Sequence, residues 1–252
     1  MRPPLPAGAG LLMMGWLTVV LWLDRAGGGG GLWQQRGLGL LTWLVLALAL
    51  WRVGPVVRAQ TVVVVAFATV VEYVFSPTLE VYTYRFHNVP AFVPPGHGLV
   101  YLSAYALGHA AFVERHRRTA IAAVLALGGA WAAYGVLVAE RADVLGAFWY
   151  ACLVLFMFLG PSQPVYVGAF VAVSWLEIAG TQLGTWAWGT HDPTGWVTIG
   201  NPPSGAAGGY GWFDLAGLFA APLVLRLWGR VSPGRRGPKD LPPARPAGVD
   251  VH

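Results

Sequence analysis

The sequence predicts an all-α, polytopic integral membrane protein with about eight transmembrane helices. Of its 252 residues, 56% are hydrophobic and only 11% are charged, whereas a soluble domain carries about 25% charged residues. Eight apolar stretches are long enough to cross a bilayer. Arg and Lys concentrate in alternate connections between these stretches, as they do in multi-span membrane proteins.

The predicted spans follow one another along the chain with short connections. They lie at residues 7–23, 37–53, 59–76, 97–113, 119–138, 144–161, 164–183 and 209–228. The first is expected to be a span rather than a signal peptide, because no small-residue cleavage signal follows it. Residues 1–228 therefore form the predicted transmembrane domain. Residues 229–252 are rich in Pro, Gly and charge, and are expected to form a disordered cytoplasmic tail.

The distribution of basic residues predicts the orientation. With both termini in the cytoplasm, 12 of the 16 Arg and Lys residues fall on the inner side, which agrees with the positive-inside rule. We therefore expect a multi-pass protein of the cell membrane that contacts membrane lipids. Nucleic-acid binding is not expected, because no basic stripe with interleaved aromatic residues is present. The oligomeric state stays open.

Two polar, aromatic and proline-rich islands interrupt the apolar pattern, at residues 72–101 and 177–214. Glu72 lies 14 residues after Arg58, and Glu177 lies 14 residues after Gln163; these two residues directly precede the predicted spans. At 1.5 Å per residue, both carboxyl groups are expected roughly 21 Å above the inner boundary of the membrane. The islands are therefore predicted to face each other and to build one site.

Both islands have the same outline. Each glutamate is followed by an aromatic-x-aromatic pair, then by a Pro-Pro turn with glycine, then by a polar residue near the next span. In chain order these residues are Glu72, Tyr82, Tyr84 and His97, and then Glu177, Trp186, Trp188 and Asp214. The pattern predicts a 4+4 internal repeat with a site at the repeat interface. The alternative is that interfacial aromatics and Pro/Gly turns recur on any membrane protein.

The candidate catalytic residues are Glu72, Glu177, His97 and Asp214. An ionisable group inside a span costs at least ~2.5 kcal/mol on insertion scales, so it normally faces the bundle interior and marks a functional site. A carboxyl group in a dry site tends to keep its proton, which suits it to protonate a substrate. The alternatives are a structural hydrogen-bonding role for the glutamates and a favourable helix-start charge for Asp214. His97 can act as a base, a proton relay or a metal ligand.

Six residues are candidates for substrate binding: Tyr82, Tyr84, Arg85, Trp186, Trp188 and His191. Aromatic rings beside the carboxyl groups can stabilise a cationic intermediate through their π faces. Arg85 can pair with Glu80 or Glu72, or bind an anionic group. His191 lies in a loop that either forms an Asp-Pro turn or covers the site.

No cofactor and no metal is predicted. A set of His and carboxylate ligands is conceivable, but the spacing is not diagnostic, and neither an HExxH motif nor a His-box repeat occurs. The pentaglycine at 27–31 lacks the ending of a P-loop. No lysine lies in a predicted span, which excludes a retinal Schiff base. Cys152 is the only cysteine, so no intramolecular disulfide can form.

Two patches of the chain resemble a known enzyme family. The span glutamate, the Tyr-x-Tyr pair and the segment NVPAFVPPGHGLVYL at 88–102 resemble the membrane-embedded carotenoid hydratases of the bacterioruberin and myxol type. GTWAW at 184–188, followed by a Pro/Gly loop and GWF at 211–213, is similar to their second characteristic region. The resemblance implies hydration of a carotenoid-like double bond. The Pro-Pro-Gly-His-Gly turn departs from that family's pattern. The chain also resembles uncharacterised multi-span proteins of actinobacteria, whose preference for Arg over Lys it shares.

Three functional hypotheses follow from the residues and this resemblance. The first is an enzyme, of lyase or hydratase type, that hydrates or isomerises an isoprenoid double bond of a lipid-soluble small molecule. One glutamate would donate the proton, the aromatic pairs would stabilise the carbocation, and His97 or Asp214 would orient water. The second is a proton- or cation-coupled transporter that uses the same carboxyl groups. The third is a scaffold subunit of a membrane complex.

Overall fold

The computed structural model describes residues 5–231. Most of the predicted disordered tail, residues 229–252, lies outside this range. The chain is 73% helical, with nine helices in the described part, and this confirms the mostly helical fold class. The helices are α1 (Ala7–Leu23), α2 (Leu32–Arg52), α3 (Pro55–Tyr73), α4 (Val93–Gly108), α5 (Ala111–Arg115), α6 (Arg117–Leu137), α7 (Val144–Leu159), α8 (Gln163–Gln182) and α9 (Ala206–Val231).

Within residues 5–231, four helical segments are long and apolar enough to cross a membrane: Pro55–Thr78, Arg117–Leu137, Gln163–Gln182 and Ala206–Leu227. Helices α1 and α7 are apolar but shorter. Large hydrophobic side chains cover the outside of the bundle, on α2, α6 and α7 among others. Such an extended apolar exterior fits a lipid environment. The number of eight spans stays a prediction.

Helix α4 lies at the centre of the bundle. Of its 16 residues, 13 are buried, and it packs against α1, α2, α3 and α8. A Cβ atom at Gly168 would collide with the backbone of Ala104, and one at Gly108 with the backbone of Pro164. Only glycine therefore permits α4 and α8 to approach this closely. This packing holds the first turns of α4, which carry His97, inside the protein.

The two islands are more ordered than the sequence predicts. A π-helical turn, Val74–Thr78, directly follows α3 and contains Pro77. Two short strands then form, β1 (Tyr82–Tyr84) and β2 (Trp186–Trp188), and they pair antiparallel. No strand is predicted here from the sequence, because each strand is only three residues long and its partner strand lies far away in the chain.

Several helix boundaries differ from the predicted spans. Helix α2 begins at Leu32 rather than at 37, and α4 ends at Gly108 rather than at 113. Helix α9 begins at Ala206, so Asp214 lies roughly two turns inside it rather than at its start. The apolar pattern does not mark these ends, because α2 and α9 begin in polar or glycine-rich residues ahead of the apolar runs, whereas α4 ends inside one.

Candidate functional site

A cavity of about 520 Å³ lies between the helices, where they meet the two islands. It is lined by residues of α1, α3, α4, α7, α8 and α9 and of both strands. Most lining side chains are aliphatic or aromatic, and three acid–base groups interrupt them: Glu72, His97 and Glu177. Seven of the ten predicted site residues line this cavity. They are these three residues together with Tyr82, Tyr84, Trp186 and Trp188.

The β1–β2 ribbon covers one end of the cavity with four aromatic rings. Side chains alternate between the two faces of a strand, so both tyrosines and both tryptophans share one face. The register pairs Tyr82 with Trp188 and Tyr84 with Trp186. Their ring centroids lie 4.6 Å and 6.1 Å apart, and all four residues are buried. Cross-strand aromatic contacts of this kind stabilise a short ribbon.

Glu72 is the most connected side chain of the cavity. Its Oε2 accepts hydrogen bonds from the hydroxyls of Tyr82, at 2.9 Å, and Tyr84, at 2.8 Å. Its Oε1 lies 2.7 Å from Nε2 of His97. The carboxyl group sits at the end of α3, directly before the π-helical turn, a feature that is frequent at functional sites. One carboxylate thus joins α3, β1 and α4.

The two phenols remain hydrogen-bond donors over the whole ordinary pH range. Burial raises the pKa of Tyr82 and of Tyr84 well above the usual value, and the neighbouring Glu72 raises both further. Both hydroxyls therefore keep the proton that they donate to Oε2 of Glu72.

Glu177 repeats this arrangement in the second island with different donors. Its Oε2 accepts hydrogen bonds from the indole nitrogens of Trp186, at 3.1 Å, and Trp188, at 3.0 Å. Each glutamate is therefore held by the aromatic-x-aromatic pair that follows it in the chain. An indole N–H can only donate, so this contact leaves Oε1 as the oxygen that can carry a proton.

His97 is held by aromatic contacts on α9 as well as by Glu72. Its ring centroid lies 5.3 Å from that of Tyr210 and 5.3 Å from that of Phe213, the second in an edge-on arrangement. The Tyr210 hydroxyl also approaches Glu177. From the sequence, Tyr210 is not identified, and Phe213 enters only through the GWF segment at 211–213. The available signal is that both lie within four residues of Asp214 on one helix.

The structure corrects the expected position of Asp214, which does not line the cavity. It is buried, and its Oδ2 has no hydrogen-bond partner among the described residues. The hydroxyl of Tyr166, also buried, has none in the same part of the chain. Nearby, the hydroxyl of Tyr101 donates to Oε1 of Gln60 at 2.9 Å. Tyr101 and Tyr166 both lie close enough to Asp214 to interact with its charge, so these side chains form a second polar cluster.

Arg85 lies outside the cavity and pairs with neither Glu72 nor Glu80, which excludes one of its two predicted roles; binding of an anionic group stays a prediction. Its Nη2 contacts Oδ1 of Asp24 at 2.8 Å and donates to the carbonyl of Gly30 at 2.9 Å. Burial raises the pKa of Asp24, and hydrogen bonds from Gln35 and Arg85 offset part of that effect. The pair ties the glycine-rich loop after α1 to the ribbon.

His191 is exposed and does not line the cavity either. Its loop is closed by the carboxyl group of Asp192, which accepts hydrogen bonds from the backbone N–H groups of Trp196 and Val197. These contacts hold the pKa of Asp192 below its usual value. The geometry is that of a side-chain-closed turn.

A further buried carboxylate, which the sequence analysis does not identify, anchors the loop between β2 and α9. Asp143 caps α7 and accepts hydrogen bonds from the N–H groups of Gly146, Gly200 and Ser204, at 2.9, 2.8 and 2.6 Å. An Asp directly before an apolar run is a helix-start signal. Its contacts with the distant loop have no such signal.

Comparison with protein-family models, with curated proteins and with solved structures gives no match. The site must therefore be interpreted from its own geometry. Among the described residues, no group of three or more His, Cys, Asp or Glu side chains could hold a metal ion. The cavity combines an apolar lining, two carboxyl groups and one imidazole. This combination can bind an apolar molecule and exchange protons with it.

Proposed function

We propose that this protein is an integral membrane enzyme that acts by acid–base chemistry on a lipid-soluble, isoprenoid-like substrate. One observation carries the proposal: two buried carboxyl groups and a histidine open on one apolar, aromatic cavity. A volume of about 520 Å³ lies within the range of small-molecule sites. Because the lining offers few polar groups, it suits a hydrocarbon rather than a sugar or a nucleotide.

The contacts of the two glutamates support different roles. Glu177 receives the indole donors of Trp186 and Trp188 at Oε2 and contacts no histidine among the described residues, so we assign it as the general acid that protonates a carbon of the double bond. Glu72 receives two phenols and lies 2.7 Å from Nε2 of His97. An imidazole can accept a proton and pass it on, so we assign the Glu72–His97 pair as the base.

Proton transfer from Glu177 to the alkene would generate a carbocation in the cavity. The faces of Tyr84, Trp186 and Trp188 would stabilise that cation. In hydration, the Glu72–His97 pair would take a proton from water while the water oxygen bonds to the cation. In isomerisation, the same pair would take a proton from the neighbouring carbon instead. Neither reaction requires a cofactor.

The resemblance to carotenoid hydratases suggests the polyene end group as the part that reacts. The residues behind this resemblance include Glu72, both aromatic pairs and the turn before His97. Glu72 and the four aromatic residues line the cavity, whereas Pro94 and Pro95 do not. The histidine in that turn, where this chain departs from the family pattern, contacts Glu72, so the reaction on the end group can differ from hydration.

The test compares the lipids of a host that expresses the wild type, Glu72→Gln, Glu177→Gln or the control Glu140→Gln. Glu140 is exposed and lies outside the cavity. Loss of a general acid or base lowers the rate by about 10²–10⁴-fold. We expect a lipid that gains one water, or that shifts in retention at constant mass, only with the wild type and the control. Normal product from both site variants would refute the proposal.

A proton- or cation-coupled transporter is the second candidate, and the polar cluster around Asp214 favours it. Asp214 and Tyr166 carry buried polar atoms without a described partner, and Tyr101 lies one helical turn beyond His97 on α4. A transporter needs such a path across the membrane. Proton flux in proteoliposomes that is lost in Asp214→Asn would support it. Absence of flux would count against it.

We propose that all eight predicted spans cross the membrane with both termini in the cytoplasm, and that they arose as a 4+4 repeat. The distribution of basic residues supports the orientation. The paired strands and the matching glutamate contacts support the repeat. Attachment of a reporter domain after α9 and in the loop before α4 would test the orientation.

A further inference from the structure

Three residues of the cavity lining are also exposed on the outside of the bundle. They are Phe67 on α3, Phe148 on α7 and Trp212 on α9, with 40%, 58% and 49% of their surface exposed. All three are aromatic, and each lies on a helix rather than in a loop. The cavity therefore reaches the apolar exterior between these helices.

The cavity walls formed by α1, α4 and the ribbon are buried. Helix α4 contributes only buried residues, including Val93 and Val100. The ribbon closes the end next to the loops, where Tyr82, Trp186 and Trp188 are each no more than 8% exposed. A molecule that arrives from water would have to displace this hydrogen-bonded ribbon. A molecule that arrives from the lipid side would meet only exposed aromatic rings.

We propose that the substrate enters sideways from the bilayer, through a mouth formed by Phe67, Phe148 and Trp212. The ligand is the end of a long hydrocarbon chain whose remainder stays in the lipid. This occupant follows from the apolar mouth and from a cavity volume that suits one end of a long chain. The inference rests on the proposed function for its substrate class only.

Photolabelling in liposomes tests this route without any chemical turnover. The probe is a polyisoprenoid alcohol with a diazirine at its hydrocarbon end, dissolved in phosphatidylcholine vesicles that contain the protein. Because α4 is enclosed, label on Val93 or Val100 can arise only from inside the cavity. Leu99 and Leu102 are also buried on α4 but do not line the cavity, so they are the internal control.

Two mouth variants and one control variant compare the mouth with the rest of the lipid-facing surface. Phe148→Ala widens the mouth, and Phe67→Ala repeats the test on another helix. Leu155→Ala removes a side chain that is 56% exposed on α7 but does not line the cavity. We expect faster labelling of Val93 and Val100 in both mouth variants and an unchanged rate in Leu155→Ala.

Label confined to outside residues in every variant would overturn the inference. An unchanged rate of α4 labelling in both mouth variants would overturn it as well. The proposed chemistry is judged separately, because Glu72→Gln and Glu177→Gln should still admit the probe. Labelled α4 together with normal product from both glutamine variants would refute the acid–base proposal and leave the route standing.

Discussion

Substitutions of Glu72 should separate its chemical role from its structural role. A glutamine keeps one oxygen that accepts from Tyr82 and Tyr84 and presents an NH₂ group to Nε2 of His97. The fold should therefore be nearly as stable as the wild type. An alanine leaves all three partners of the carboxyl group, which are buried, without a hydrogen bond.

The magnitude follows from these three contacts. Each buried polar group that loses its partner costs about 1–3 kcal/mol, so Glu72→Ala should lose roughly 3 kcal/mol or more of unfolding free energy. In a chain of this size, 1 kcal/mol lowers the unfolding midpoint by about 2–4 °C, so 3 kcal/mol corresponds to about 6–12 °C.

Thermal unfolding in detergent, followed by circular dichroism, measures this difference. Glu140→Ala is the matched control, because Glu140 is exposed and makes no contact with the site. We expect the midpoint of Glu72→Gln to remain close to that of the control and the midpoint of Glu72→Ala to fall. Equal losses for Gln and Ala, or no loss for Ala, would refute the hydrogen-bond geometry on which the site is built.

Substitutions at three other buried carboxyl groups give further tests. Asp143→Ala should cost roughly 3 kcal/mol or more, because three buried N–H groups lose their acceptor, and Asp143→Asn should cost less; wild-type stability of the alanine variant would contradict this. Burial raises the pKa of Asp24 above its ordinary value of 3.8, so the carboxyl group binds its proton more tightly in the folded protein than in the unfolded chain. The free energy of unfolding should therefore fall as the pH rises from 3.8 to the raised pKa. Asp24→Asn should lack that slope in denaturant titrations, and an unchanged slope would argue against it. Asp214→Leu should leave thermal stability equal or higher, because Oδ2 has no described partner; a marked loss would indicate a bound partner.

The residues of the candidate site could be predicted from the sequence, but only some of the contacts between them could. Glu72 and Glu177 stand out because an ionisable group in an apolar run is costly and conspicuous. The aromatic pairs stand out because they follow the glutamates at similar distances. The bond from His97 to Glu72 spans 25 positions of the chain, and no local pattern encodes it. Its formation depends on α4 passing through the centre of the bundle beside the end of α3.

Wrong expectations share one physical cause. Arg85 is close in sequence to two glutamates, yet it pairs with Asp24, 61 positions away. Asp214 resembles a helix-start residue, but α9 begins earlier and carries it into the core. In both cases a sequence pattern describes the neighbours along the chain, whereas the partner of a charged group is set by the helix packing.

Composition and apolar periodicity by themselves determined the helical fold class, the membrane environment and the two islands, because a lipid solvent imposes its constraints residue by residue. The tertiary structure decided the rest. It paired the Tyr-x-Tyr and Trp-x-Trp segments as strands, placed both glutamates on one cavity, and excluded Asp214, Arg85 and His191 from it. These outcomes depend on contacts between segments far apart in the chain, and such contacts exist only once α4, α8 and α9 pack together.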